Sequence, residues 1–229
     1  MLSEPRTNAL LIELLHLPMQ HSPSRLRSLY QDLCTQCDFE NFIRRPNGAV
    51  IERPASEEAG LARLTFSSDR IHFIEEGGLV TLNSFCQRLE AILARSMDVL
   101  GIPFFLMELC TVRMVTTPGH FDSASDFIGA RLLSFGAAEL AQLGRPTKVF
   151  GLVLSVPPGQ DLRDSYSLRI EVFARDPKSL YLENVGTFRT PINRADIAAA
   201  SSAMRATDTF VTERLCPFLS RFDAPAGDR

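Results

Sequence analysis

A short apolar run occurs twice in this chain, and it constrains the fold more than any other feature. Leu11-Ile12-Glu13-Leu14-Leu15-His16-Leu17-Pro18-Met19 aligns with Leu106-Met107-Glu108-Leu109-Cys110-Thr111-Val112-Arg113-Met114, matching at Leu, Glu, Leu and Met. Each copy is strand-like and leads into a polar turn and a helix signal. The echo predicts a duplicated α+β unit of roughly a hundred residues, the usual size of one compact domain. Residues 1–102 make the first repeat, residues 103–223 the second, and residues 224–229 a flexible tail. No Pro/Gly/Ser-rich linker separates Gly101 from Phe104, so the two repeats are expected to pack closely.

Within each repeat the pattern runs strand, helix, several antiparallel strands, helix. Residues 9–17 are almost continuously apolar, as in a mostly buried strand. Ser22 can cap a helix that opens on Pro23, and Leu26, Leu29, Tyr30, Leu33, Cys34 and Cys37 then share one apolar face. Asn47-Gly48 is a turn signal that would pair residues 41–45 with 49–53. Residues 61–66 and 70–75 alternate apolar and polar, as strands do with one face covered and one wet. From Leu82 to Leu100 an apolar helical stripe runs up to Gly101 and Pro103, which stop it.

The second half repeats this order. Residues 104–115 form the second copy of the opening strand, and Asp122 caps a helix bearing Phe127, Ile128, Leu132 and Leu133. A short helical turn over 137–143 follows, then strands over 148–156, 166–173 and 179–185. Asn193 can cap a long final helix, which Pro217 bends or ends near its last turn. The class is therefore α+β, with helices packed on one face of antiparallel sheet.

The Glu13-bearing strand, the helix at 82–100, the second strand at 104–115 and the final amphipathic helix resemble a sporadically distributed bacterial family of uncharacterised proteins. The resemblance covers nearly the whole chain through element order and apolar pattern. Members of that family carry an Arg-Tyr-Ile-Asn-like segment where this chain has Thr111-Val112-Arg113-Met114. The resemblance implies a fold and little about activity.

Charge and composition narrow the function classes. A net charge of −3 and the lack of a dense Lys/Arg run argue against phosphate-driven nucleic-acid binding, although a saddle-shaped duplicated sheet can grip DNA. No apolar run reaches the roughly 18–20 residues that span a bilayer, and the first residues lack a signal peptide's basic start and apolar core. Five cysteines without framework spacing favour a reducing compartment, so the expected location is the cytoplasm.

The side chains with chemical potential each have an ordinary structural account. Cys34-Thr35-Gln36-Cys37 has redox or zinc spacing. It lies near a helix C-terminus, where the dipole opposes a thiolate, and no second Cys-x-x-Cys completes a zinc site. Packing cysteines are the simpler reading. His16 interrupts an apolar strand as a satisfied core or rim residue, and His72 faces water. His120 sits two residues before Asp122, a pairing that could make a general base if Asp122 were not already a helix cap. Glu13 and Glu108 occupy the same place in both echoes. Alternation puts Ile12, Leu14, Met107 and Leu109 in the core and both glutamates outside, while Arg113, Arg169 and Glu171 pair on the same solvated face.

No Walker loop, Gly-x-Gly-x-x-Gly or Gly-x-Ser-x-Gly is present, so no cofactor is implied. The leading expectation is a non-catalytic cytoplasmic module that binds another protein or a second copy of itself. The alternative is an enzyme or small-molecule sensor using a pocket between the halves, near Glu13, Glu108 and His120.

Overall fold

The computed structural model describes residues 1–56, 59–78, 80–135, 137–145, 147–160 and 163–224. Residues 225–229 of the expected tail lie outside the described residues. The first half contains β1 (Arg6–Leu15), α1 (Pro23–Cys37), β2 (Asn41–Arg45), β3 (Gly48–Arg53), β4 (Leu61–Phe66), β5 (Arg70–Glu76) and α2 (Leu82–Leu100). The second opens with β6 (Phe104–Phe105) and β7 (Met107–Thr116). Next come α3 (Ala124–Asp126), which runs into a π-helical turn at Phe127–Leu132, and α4 (Ala137–Ala141). Strands β8 (Gly151–Val156), β9 (Ser165–Val172), β10 (Leu180–Phe188) and β11 (Ile192–Asn193) follow. The chain closes with α5 (Ala198–Thr209), a second π-helical turn (Phe210–Leu215) and α6 (Cys216–Ser220).

Both halves build one sheet. Its order is β2-β3-β4-β5-β1-β7-β10-β9-β8, and every neighbouring pair is antiparallel. The two echoed strands, β1 and β7, lie at its centre and pair with each other. β6 and β11 pair as a separate two-stranded ribbon.

Alternation gives the sheet a covered and an open face. Leu10, Ile12 and Leu14 of β1, Phe73 of β5, Val112 of β7 and Leu182 of β10 are buried in one continuous core with the apolar stripes of α1, α2 and α5. Phe73 stacks on Phe85 of α2 at 4.8 Å between ring centroids, which locks sheet to helix. Full burial of such a side chain stabilises by about 1.5–3 kcal/mol relative to leaving it in water.

Local chemistry fixes the helix ends. Thr81 accepts the Ser84 N–H at 3.2 Å at the start of α2. Gly101, at φ 73°, takes the left-handed position that ends α2 and donates its N–H to Met97 O at 3.0 Å. On β10, a Cβ at Gly186 would come within 2.5 Å of Thr207 Oγ1, so glycine lets α5 seat closely against the sheet. The Asn184 amide uses that approach to donate to Thr207 O at 2.9 Å.

Four local expectations are corrected. The β2–β3 turn is centred on Pro46-Asn47, and Gly48 already pairs with Arg45. The cap of α3 is Ser123, whose side chain accepts the Asp126 N–H, rather than Asp122. Asn193 belongs to β11 and accepts the Ala195 N–H at 2.8 Å; the final helix starts five residues later, at Ala198. Pro217 does not end that helix. The path widens first, with Cys216 N–H donating to Val211 O five residues back, and continues to Ser220.

Candidate functional site

The sheet has two outer strands, β2 and β8, and they differ in chemistry. Edge strands carry unpaired peptide groups that template pairing with another chain unless charge, proline or a cover blocks them. β2 is five residues long and ends in Arg44-Arg45, both exposed. That edge is guarded. β8 reads Gly-Leu-Val-Leu-Ser-Val and has neither a charge nor a proline.

The β8–β9 register decides which peptide groups of β8 are free. Val172 N–H donates to Phe150 O at 2.9 Å, so Phe150 and Val172 are a hydrogen-bonded pair. Hydrogen-bonded and non-bonded pairs alternate in an antiparallel ladder. Leu152, Leu154 and Val156, opposite Ile170, Leu168 and Tyr166, therefore bond to β9. Gly151, Val153 and Ser155 point their N–H and C=O groups away from β9, toward the free edge. Among the described residues no strand pairs with that side of β8. Leu152, Leu154 and Val156 pack on the core, while Val153 is 66% exposed and neighbouring Phe150 62%. β8 therefore presents an exposed apolar edge with free backbone donors.

The open face of the sheet, by contrast, is internally matched. Glu13 of β1 lies opposite His72 and is ion-paired with Arg70, which also holds Asp69 at 3.0 Å. Glu183 of β10 takes Arg113 at 2.7 Å, Arg169 at 2.9 Å and the Tyr181 hydroxyl at 2.9 Å. Arg169 also lies 3.8 Å from Glu171. Of the expected partners Arg113, Arg169 and Glu171, Arg169 does reach Glu171, whereas Arg113 pairs with Glu183 instead. His72 shares the face but is half-buried, and burial holds its pKa below the ordinary histidine value.

Glu108 departs from expectation. It stands opposite Leu14, which puts it on the covered face and leaves Met107 and Leu109 on the open one. Its side chain is buried, Oε2 has no hydrogen-bond partner among the described residues, and burial pushes its pKa up to about 8. The echoed glutamates thus face opposite sides of the sheet.

His120 lies elsewhere. β7 carries the chain from Glu108 to Thr116, roughly 27 Å at the usual strand rise, before the turn that leads to His120. There the His120 ring contacts the buried Asp223 carboxylate at 3.3 Å, and not Asp122. Glu13, Glu108 and His120 therefore share no pocket. A cavity of about 750 Å³, lined by residues such as Asp126, Gly129, Phe135, Leu140, Arg145 and Val149, belongs wholly to the second half.

Cys34 is partly exposed near the end of α1, whereas Cys37 is buried. Burial pushes the Cys37 thiol up to about 11, away from the thiolate that redox or metal chemistry needs. His16 and His21 do come together, their rings 5.7 Å apart, with His16 Nδ1 on Leu17 O and His21 Nε2 on Ser67 O. Among the described residues no group of three or more His, Cys, Asp or Glu is placed to hold a metal ion, and no helix is long and apolar enough to cross a membrane.

No protein-family model and no curated protein matches the chain.

The residues that stand out, Phe150 and Val153, were legible only as part of a β-prone run. Their uncharged stretch was the available signal. That it forms an edge depends on strand order, which no local pattern contains.

Proposed function

We propose that this protein is a non-catalytic cytoplasmic interaction module that takes an extended strand from a partner protein onto the free edge of its sheet, at β8. The observation that carries the reading is the outward direction of the Gly151, Val153 and Ser155 peptide groups along an uncharged, unguarded strand. Strand addition uses such main-chain groups for affinity and the alternating side chains for specificity. The matched charges of the open face, and the separation of Glu13 from His120, leave those surfaces without comparable demand for a ligand. The same proposal keeps the chain with the bacterial family it resembles, a reading supported by element order from the Glu13-bearing strand to the final helix.

A photoreactive amino acid placed at Val153, and separately at Ile43 on the guarded edge, tests the reading in cells. A protein adduct is expected at position 153 and none at 43. Absence of any protein adduct at 153 would overturn it.

A further inference from the structure

We infer that the strand received by β8 is β8 of a second copy of this chain, paired antiparallel about a two-fold axis at Val153. This inference rests on the strand-addition reading and names its partner.

The sequence of β8 is complementary to itself in one register. With Val153 opposite Val153 of the second copy, Gly151 faces Ser155, Leu152 faces Leu154, and Phe150 faces Val156. All three residues that point outward then meet outward-pointing residues, giving about six backbone hydrogen bonds across the edge. Neighbouring registers do worse. An axis at Leu154 would set Gly151 opposite Pro157, which has no N–H to give. An axis at Leu152 would set Ser155 opposite Val149, outside the strand.

Side chains agree with the backbone. No charge meets a like charge within the paired stretch, because β8 has none. On the covered side Leu152 and Leu154 would extend the core of each copy across the junction, and on the open side Val153 would cover its counterpart. β2 is the poorer candidate, being five residues long with two exposed cations. A closed two-fold pairing also consumes the edge, so association stops at two copies.

The test uses the full chain with Cys34→Ser, which removes the partly exposed thiol, carrying either Val153→Cys or Ser155→Cys. Hydrogen-bonded antiparallel partners have Cα atoms about 5.5 Å apart, within disulfide reach. Val153→Cys is expected to form a covalent dimer under mild oxidation at least ten-fold faster than Ser155→Cys, which faces Gly151. Native mass spectrometry of the unmodified chain should show twice the chain mass, with a dimer fraction that rises with concentration. Val153→Pro should abolish that dimer, because it removes an outward N–H but no bond to β9.

A monomer at all concentrations, equal cross-linking by the two cysteine variants, or a dimer that survives Val153→Pro would overturn the inference. The strand-addition reading fails separately. A photo-adduct at Val153 with a different protein, together with a monomeric purified chain, would leave that reading standing and remove only the self-pairing.

Discussion

Leu14 and Glu108 stand directly opposite each other on the two central strands, β1 and β7, so the carboxyl group of Glu108 shares the helix-covered face with a core leucine. Glu13, one residue before Leu14, faces the other way into an ion pair with Arg70. Two glutamates in matching sequence contexts therefore have opposite electrostatic fates.

The first prediction concerns Glu108. Burial raises its pKa from the ordinary 4.5 to about 8, so the folded protein holds this proton where the unfolded chain has released it. The folded state then binds more protons between those values, and stability falls as pH rises through that window. From pH 4.5 to 7 the loss is on the order of 3 kcal/mol, taking about 1.4 kcal/mol per pH unit. Glu108→Gln carries no such proton. Its urea midpoint should match the wild type near pH 4.5 and exceed it at pH 7–8; parallel curves would refute the assignment.

A second prediction follows from another buried carboxylate. Glu75 of β5 is fully buried and faces Arg88 of α2, with Nε–Oε1 at 2.5 Å and Nη2–Oε2 at 2.6 Å. Removing one member of such a pair strands the other charge, at a cost of about 3–5 kcal/mol, whereas replacing both with apolar groups can be neutral. Arg88→Met should therefore lower stability strongly, and Glu75→Leu combined with Arg88→Met should recover most of the loss. Additive losses in that double-mutant cycle would show that the two residues act independently.

Much of this architecture was legible in the sequence, because strand and helix periods differ. The stripe from Leu82 to Leu100 gave α2 with its bounds, and alternation located β4 and β5. The phase of β7 was misread although its signal was present. Thr111 and Arg113 have the same parity as Leu109, and polar residues at two of those positions mark that side as the wet one. Glu108 shares parity with Cys110, Val112 and Met114, all buried, so the apolar majority carries the glutamate inward. The candidate edge was not legible for a different reason. Whether β8 is central or terminal depends on the pairing of β7 with β1 and β10, a relation among segments far apart in the chain.

The third prediction separates the five thiols. Cys37, Cys86, Cys110 and Cys216 are buried, and burial raises each thiol above its usual pKa, Cys37 and Cys216 to about 11. Cys34 is partly exposed. In the native protein at pH 7.5, iodoacetamide should modify Cys34 first, and the other four should react at comparable rates only after unfolding. Peptide mass mapping reads this directly. Rapid native modification of Cys37 would restore a reactive role for the Cys34–Cys37 pair.

The fourth prediction lies at the far end of the chain, where Asp223 ties the segment after α6 to the loop after β7. Its buried carboxylate accepts the Gly119 N–H at 2.8 Å and the His120 N–H at 3.1 Å, and the Met1 ammonium lies 3.2 Å away. Burial works against the ionised form, but these donors outweigh it and hold the carboxyl below its usual value. A depressed folded-state pKa contributes stability above the ordinary value of 3.8 and loses it as pH falls through the folded value. Asp223→Asn should cost about 2 kcal/mol near neutrality, the range for hydrogen bonds to a charged group. The difference from wild type should shrink as pH falls below 3.8. Thermal unfolding between pH 2.5 and 7 checks both parts. A gap that stays constant with pH would mean that the carboxylate acts through packing rather than charge.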